Sequence, residues 1–229
     1  MELNENTGES AIVIWVTAAE GASFETYRND PSAGAEIRLP LAPAALDDEL
    51  AGEAKREGVE PESLRLCGWK YLGRFAPFEW LPLGETYTIE EANLLAASVM
   101  HNPEIDCAVL FEYCDLREIY DPLEVFNIAF QYDAVPFRKW TSPLDLKEIG
   151  MDMLDPHEKC SLQLGWELAG KDATRDRADM SVWELIRLGE RMANERDLAF
   201  WFDGYMDPYE GEIDTVKYSK KEIVEALFS

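Results

Sequence analysis

Residues 11–17 read Ala-Ile-Val-Ile-Trp-Val-Thr, and this run of β-branched and aromatic side chains is the strongest strand signal in the chain. Glu36–Leu41 begins with alternating polar and apolar residues and predicts a short second strand, which Pro40 ends or keeps at a sheet edge. Leu64–Leu72 predicts a third strand. Glu20–Gly34, between the first two, is rich in loop-forming residues and predicts a long loop. The N-terminal end is therefore expected to contain a sheet.

Helical periodicity dominates the following part of the chain. Ala44–Gly58 carries apolar side chains at four-residue spacing and predicts an amphipathic helix that Gly58 ends. Thr88–Glu91 has the capping-box pattern and opens a predicted helix over Ile89–Met100. Further helices are predicted at Pro103–Tyr113, Pro122–Gln131, Leu162–Leu168, Ser181–Asn194 and Ser219–Phe228. The middle of the chain is expected to be a small helical bundle.

The last third mixes both patterns. Leu198–Phe202 fits a buried strand or a helix end, and Glu212–Tyr218 predicts a strand. The predicted fold class is α+β, elongated, with several small domains, mixed sheet and helix at both ends and a helical middle. The predicted domains are an N-terminal α+β domain at 10–86, a central helical domain at 87–140 and a C-terminal α+β domain at 141–229.

Charge is the most unusual property of the composition. The 229 residues include 46 Asp and Glu against 21 Lys and Arg, for a formal net charge of −25. The chain is nevertheless 47% hydrophobic and 11% aromatic, which excludes a disordered acidic tail. Solubility requires a net charge of only about 2 to 8. The surplus predicts a surface for a cationic partner and excludes double-stranded DNA as a ligand, which requires a basic face. A generally acidic proteome is the alternative explanation.

Localisation signals are weak or missing in the sequence. Met1–Ser10 lacks the basic start of a signal peptide, and the apolar run that follows is too short for its core. No stretch approaches the 18 or more apolar residues of a membrane span. The cysteines form no CxxC pair and predict reduced, mostly buried thiols: Cys67, Cys107, Cys114 and Cys160. We expect a cytoplasmic protein without membrane contact.

Motifs for catalysis are also missing. Neither histidine, His101 nor His157, has the spacing of a catalytic or zinc-binding residue. Gly165–Asp172 approaches the phosphate-loop pattern, but it has Asp172 where a Ser or Thr must hold magnesium, and its intervening residues favour helix. Asp203–Asp214 is dense in acids but lacks calcium-loop spacing, and a solvated turn is preferred over a calcium site. We predict no enzyme activity, no cofactor and no metal.

The arrangement of the acids is more informative than their number. Glu49, Glu53 and Glu57 recur every four residues, about 6 Å apart along a helix, with Asp47 and Asp48 beside them. Nine more acids follow in the middle section with only Arg117 among them: Glu90, Glu91, Glu104, Asp106, Glu112, Asp115, Glu118, Asp121 and Glu124. Solvated helical faces usually mix signs, whereas these rows do not.

Such unmixed rows approximate the charge lattice of a nucleic-acid strand. The fourteen acids are therefore the predicted partner-binding residues, through which the chain would occupy a DNA-binding groove. An acidic, solvated surface without a partner stays open as the alternative.

Several segments, taken in order, resemble the ArdA antirestriction proteins. They are 11–17 followed by Ile37–Leu41 and an acidic helix, Leu81–Glu85 leading into Ile89–Ala96, and Leu123–Val135. The resemblance covers residues 11 to 135 and is loose beyond them. This chain is longer than typical members, and its C-terminal Lys217, Lys220 and Lys221 interrupt the acidic pattern.

The resemblance implies an elongated, three-domain, usually dimeric DNA mimic of the kind carried by phages, plasmids and conjugative elements. Such proteins occupy the DNA site of type I restriction–modification enzymes, so that incoming DNA escapes cleavage. The predicted partner is therefore such an enzyme, with no nucleic acid bound and a homodimer expected. The alternatives are a DNA mimic directed at another DNA-binding defence system, such as a CRISPR effector, and a non-catalytic acidic interaction protein.

Overall fold

The computed structural model describes residues 10–20, 34–80, 87–139, 154–171, 179–200, 204–211 and 213–228. The chain forms two compact units: unit 1 comprises Met1–Val135 and Ile213–Ser229, and unit 2 comprises Pro136–Glu212. Helices and antiparallel sheets are both present, so the predicted α+β class is confirmed. The observed division differs from the three predicted domains, because 10–86 and 87–135 share unit 1 with the C-terminal residues. Most of the predicted loop at Glu20–Gly34 lies outside the described residues.

A three-stranded antiparallel sheet lies in unit 1. Its strands are β1 (Ile12–Thr17), β2 (Ala35–Leu39) and β3 (Arg65–Tyr71), in the order β2–β1–β3. Every residue of the central strand β1 is buried. Because both of its faces are covered, this strand reads as a continuous apolar run in the sequence. The three predicted strands are confirmed.

Helix α1 (Pro43–Glu57) follows β2 directly. It has Pro43 in its first turn and ends at Gly58, whose φ of 72° is a left-handed conformation that glycine adopts without a Cβ penalty. Leu46, Leu50 and Ala54 are buried along one stripe, as predicted.

Three helices form the middle of unit 1: α2 (Ile89–His101), α3 (Cys107–Leu116) and α4 (Pro122–Phe130). The predicted capping box is confirmed, because the Thr88 N–H donates to Glu91 Oε2 at 3.0 Å and the Glu91 N–H donates to Thr88 Oγ1 at 3.2 Å. A 3₁₀ helix spans Gly73–Trp80, after β3.

The C-terminal residues 213–228 also belong to unit 1. They end in helix α7 (Lys220–Phe228), which begins after Ser219 as predicted. The strand predicted at Glu212–Tyr218 is wrong, because residues 213–219 form turns and irregular backbone. Backbone groups of Tyr218 bond to the Asn127 side chain in α4, and the Asp214 carbonyl oxygen accepts from the side chain of Gln131, the residue after α4.

Unit 2 packs two helices beside a small antiparallel sheet. The helices are α5 (Pro156–Lys171) and α6 (Val182–Arg196), and Ser181 caps α6. The sheet order is β4–β6–β5, with β4 at Phe137–Lys139, β5 at Ala199–Phe200 and β6 at Gly204–Met206. The ambiguous Leu198–Phe202 segment therefore contains a strand.

Glycines allow α5 and α6 to cross at close range. A Cβ added at Gly165 would lie 1.9 Å from the Leu185 carbonyl oxygen, and one added at Gly189 would lie 1.8 Å from the Ser161 carbonyl oxygen. Neither backbone can retreat without separating the helices, because both contacts are to main-chain atoms. This crossing holds the core of unit 2, which includes Leu162, Ala169, Leu185 and Ile186.

Candidate acidic interaction surface

The acids of α1 divide between solvent and the protein interior. Asp47, Asp48 and Glu49 are exposed. Glu53 is only 6% exposed and pairs with Arg56, whose Nε donates to Glu53 Oε2 at 2.7 Å and whose Nη2 contacts Oε1. The hydrogen bond from Arg56 lowers the pKa of Glu53. Glu53 is thus ionised but neutralised within the chain.

Glu57 connects the end of α1 to the end of β1. The Thr17 hydroxyl donates to Glu57 Oε1 at 2.9 Å, and the Ala18 N–H donates to Glu57 Oε2 at 2.8 Å. This corrects the predicted row of exposed carboxylates over Glu49, Glu53 and Glu57, which stops at Glu49.

The burial of Glu53 and Glu57 could have been predicted from their spacing to the leucines of α1. Glu53 follows Leu46 by seven residues, and Glu57 follows Leu50 by seven. Residues seven apart lie on the same face of a helix. The seven-residue spacing from the leucines therefore indicated that Glu53 and Glu57 lie on the buried face of the helix. The four-residue spacing between the acids carries no such information.

Two acids of the helical middle combine exposure with a structural role. Asp106 Oδ1 accepts hydrogen bonds from the first turn of α3, and Asp121 Oδ1 accepts them from the first turn of α4. Both residues remain exposed, as do Glu90 and Glu104. A carboxylate at a helix N-terminus is stabilised by the unpaired N–H groups there. These positions therefore hold negative charge at the surface with little cost to the fold.

Two other predicted acids contact the C-terminal segment. Lys220 Nζ lies 3.0 Å from Glu91 Oε1, and the Thr215 hydroxyl donates to Glu124 Oε1 at 2.9 Å. Both acids are half-buried. Lys220 therefore neutralises one of the middle acids instead of lying apart from them.

The end of α3 and its connection to α4 form an acidic loop, which we define as Asp115, Glu118, Tyr120 and Asp121; Arg117 lies in the same stretch. All four residues are exposed, and Tyr120 retains 42% of its accessible surface. The Tyr120 hydroxyl donates to Asp115 Oδ1 at 2.8 Å. Next to the loop, burial raises the pKa of Glu112, and the charge of Asp115 raises it further. The ionised forms of Asp115 and Glu112 therefore repel each other.

Nine of the fourteen predicted acids are exposed, and we call them the exposed acidic set. They are Asp47, Asp48, Glu49, Glu90, Glu104, Asp106, Asp115, Glu118 and Asp121. The other five are buried or half-buried: Glu53, Glu57, Glu91, Glu112 and Glu124. All fourteen belong to unit 1.

Unit 2 contains a charged network that the sequence reasoning missed. Arg138 Nη1 lies 3.2 Å from Glu167 Oε2, and Arg138 Nη2 lies 2.6 Å from Glu210 Oε1. The buried Tyr205 donates its hydroxyl to Glu167 Oε2 at 2.9 Å. These partners are 29 to 72 residues apart in the chain, so no short sequence motif predicts their contacts.

The same side chains line a cavity of about 70 Å³. Arg196 and Asp207, which form a further ion pair, also line it, together with apolar residues of α5 and α6. Because both arginines already have carboxylate partners, the network's evident role is to attach β4 and β6 to the helices. Glu167 lies within α5, so Gly165–Lys171 is helix and not a phosphate-binding loop.

The histidines make aromatic contacts. His101 stacks on Phe130 with ring centroids 6.1 Å apart, and His157 meets Phe200 edge-on at 4.6 Å. Burial raises the pKa of the Cys107 thiol to about 11, so this thiol is protonated at neutral pH. Within the described ranges, no group of three or more His, Cys, Asp or Glu side chains could hold a metal ion.

Asp203, at the start of the acidic Asp203–Asp214 segment, lies outside the described residues. In the portions of the chain that are described, no helix combines the length and apolar character needed to cross a membrane.

Comparisons with protein-family models, curated proteins and solved structures find no match to this chain. The resemblance to the ArdA proteins therefore rests on the sequence segments alone.

Proposed function

We propose that this protein is an acidic DNA mimic that occupies the DNA-binding groove of a type I restriction–modification enzyme and so competes with DNA. The exposed acidic set of unit 1 carries the proposal. Between Phe75 and Phe137 the sequence contains a single lysine or arginine, Arg117, so the six members of the set in this stretch have few cations near them in the sequence. The activity requires no covalent chemistry and no cofactor.

Physical chemistry explains how such a surface competes with DNA. A groove that binds DNA gains affinity from many phosphate contacts, each of which releases counterions. Exposed carboxylates offer the same groove a comparable set of anionic contacts. Each contact is weak by itself, so affinity arises from the summed field and no single acid is essential. A homodimeric, cytoplasmic protein, as the ArdA resemblance implies, is part of the same proposal.

A competition assay tests the proposal directly. A labelled DNA duplex bound to a purified type I restriction–modification enzyme should be displaced by this protein, measured by fluorescence anisotropy. The apparent affinity should fall steeply between low and physiological salt, because the attraction is electrostatic. Absence of displacement, or an affinity that is flat across salt concentrations, would contradict the proposal.

Matched variants locate the surface. In the triple variant Glu90→Gln, Glu104→Gln and Glu118→Gln, the salt slope should fall by about one for each carboxylate that contacts the enzyme. The control neutralises three acids of unit 2 instead: Asp179→Asn, Glu190→Gln and Glu195→Gln. Equal losses in both variants would show that only net charge matters and that the unit 1 surface is not the mimic.

A further inference from the structure

The cavity in unit 2 has one charged side and one apolar side. Its volume is about 70 Å³, and every described residue that lines it lies within Arg138–Glu210. Two arginines and three carboxylates form the charged side. The apolar side is formed by residues of α5, of α6 and of the position before β5, namely Leu164, Leu168, Met192 and Leu198. Small-molecule sites are typically built in this way, from apolar walls with a few charged or polar groups.

The charges of this lining do not balance. Arg138 bridges two carboxylates, with Glu167 at 3.2 Å and Glu210 at 2.6 Å, and Arg196 pairs with Asp207. Three carboxylates therefore share two guanidinium groups among the described lining residues. The excess of one negative charge lies with the two acids that share Arg138. A charge held away from bulk water is costly without a full partner, so the cavity favours a bound cation.

Glu210 offers the contact that such a cation needs. Its Oε1 accepts a hydrogen bond from Arg138, whereas within the described ranges Oε2 makes no hydrogen bond. Both carboxylate oxygens of Glu167 and of Asp207 already have partners. The ion pairs that attach the strands to the helices thus leave one acceptor of the network for a ligand.

The apolar side favours an aliphatic group over water. A buried water needs about two to four polar partners, which leucine and methionine side chains do not offer. Because one water needs about 10 to 15 Å³, the cavity volume corresponds to about five to seven waters. A ligand with about five or six non-hydrogen atoms therefore matches the space.

The relative exposure of the two sides sets the orientation of a ligand. The side chains of Arg196 and Glu210 keep 53% and 43% of their accessible surface, so the charged side reaches solvent. The four apolar residues are buried or half-buried. A ligand would therefore enter with its apolar end first and keep its charged end near Glu210. A lysine side chain of another protein has the reverse order, because its ammonium group is at the far end.

We propose that this cavity binds a short alkylammonium ion, which is a small primary amine in its protonated form. The ammonium group donates to Glu210 Oε2 and compensates the excess negative charge, while the alkyl chain lies against the apolar side. A carboxylate ligand would instead add to the excess. All fourteen predicted acids of the DNA mimic belong to unit 1, so this site goes beyond the proposed function and does not depend on it.

A matched series of ligands tests the site. The probe is n-butylammonium, and its binding is followed by the amide chemical shifts of the full chain in about 0.15 M salt, where attraction to the exposed acids is screened. Saturable shifts at the residues that line the cavity are expected. Methylammonium, which has the charge without the chain, and n-butyrate, which has the chain with the opposite charge, should each bind at least about tenfold more weakly.

Substitutions in the cavity test the two sides separately. Glu210→Gln keeps an oxygen acceptor for Arg138 but removes the excess charge, and it should raise the dissociation constant about tenfold. Leu168→Phe leaves the charges unchanged and fills part of the apolar side, so it should weaken binding to a similar degree. Glu195→Gln is the control, because it removes the same charge at an exposed position of α6 outside the cavity lining. Its affinity should equal that of the wild type.

Five results would overturn the inference. One is the absence of saturable binding of n-butylammonium. Equal affinity for methylammonium, or shifts that spread over the exposed acidic set without saturation, would show attraction to net charge alone. Preferential binding of n-butyrate would contradict the charge argument, and unchanged affinity in Leu168→Phe would place the ligand elsewhere. Tighter binding of Nα-acetyl-lysine amide than of n-butylammonium would assign the site to a partner protein. The ligand series uses the wild-type chain, so it remains decisive if a variant fails to fold.

Discussion

Asn127 and Tyr218 form a reciprocal pair of hydrogen bonds between α4 and the C-terminal segment. The Tyr218 N–H donates to Asn127 Oδ1 at 2.7 Å, and Asn127 Nδ2 donates to the Tyr218 carbonyl oxygen at 2.9 Å. The Asn127 side chain is fully buried. Asn93 binds both backbone groups of Leu41 in the same way, at 2.7 and 2.8 Å. At both positions a side-chain amide binds the backbone N–H and C=O groups that a neighbouring strand would otherwise bind.

Asn127→Ala is expected to destabilise unit 1 by about 1 to 3 kcal/mol, because it leaves the Tyr218 backbone groups without these partners. Urea denaturation followed by circular dichroism measures the change. The exposed Asn194→Ala in α6 is the control and should change stability by less than about 0.5 kcal/mol. Equal stability of Asn127→Ala and the wild type would show that water satisfies the freed groups.

Gly189→Ala is expected to destabilise unit 2 by about 1 to 3 kcal/mol or more, because the new methyl group would collide with the Ser161 backbone. Gly165→Ala should act similarly through Leu185. Thermal denaturation of the full chain measures both. Gly52→Ala is the matched control, because it also lies in a helix but its Cβ would have nothing within 4 Å.

The control substitution is expected to change stability in the opposite direction. Gly52→Ala should stabilise the protein by about 0.4 to 1 kcal/mol, because alanine restricts the unfolded chain more than glycine does. A stabilising effect of all three substitutions would show that α5 and α6 do not cross as closely as described.

Glu53→Gln should lower stability at neutral pH by about 1 kcal/mol through the loss of the charged hydrogen bonds to Arg56. The folded-state pKa of Glu53 is lowered, so its contribution is present above the unfolded pKa and is lost as pH falls through the folded pKa. The wild type should therefore lose its advantage over the variant from about pH 5 downward. Urea midpoints at several pH values measure this, and a constant difference would contradict it.

Glu112→Gln should have the opposite effect. Burial raises the pKa of Glu112, followed by the charge of Asp115, so its ionised form opposes folding at neutral pH. The variant should have a higher urea midpoint than the wild type at pH 7. The difference should shrink as pH falls and Glu112 becomes protonated in the wild type. Glu90→Gln, at an exposed position, is the control.

Several elements were predictable because their causes are local. The apolar run of β1, the capping box at Thr88 and the terminating Gly58 each depend on neighbouring residues, and the structure contains all three. Other features depend on distant partners. Residues before Ser219 have a strand-like sequence, yet they form no strand because Asn127 and Gln131 bind their backbone.

The candidate surface was predictable only in part, for the same reason. The sequence alone determined the number of acids and the scarcity of lysine and arginine among the predicted acids of the middle section. It did not determine which acids reach solvent, except through the seven-residue spacing of Glu53 and Glu57 from buried leucines.

Taken alone, the sequence determined the α+β class, most helices and strands, and the large negative charge, because these follow from composition and short-range patterns. Only the tertiary structure decided that nine of the fourteen predicted carboxylates remain exposed while Glu57 binds the end of β1 and Glu91 pairs with Lys220. The Lys220 pair joins residues 129 positions apart. A charge is exposed or neutralised according to what folding brings beside it, and that arrangement depends on the packing of the whole unit.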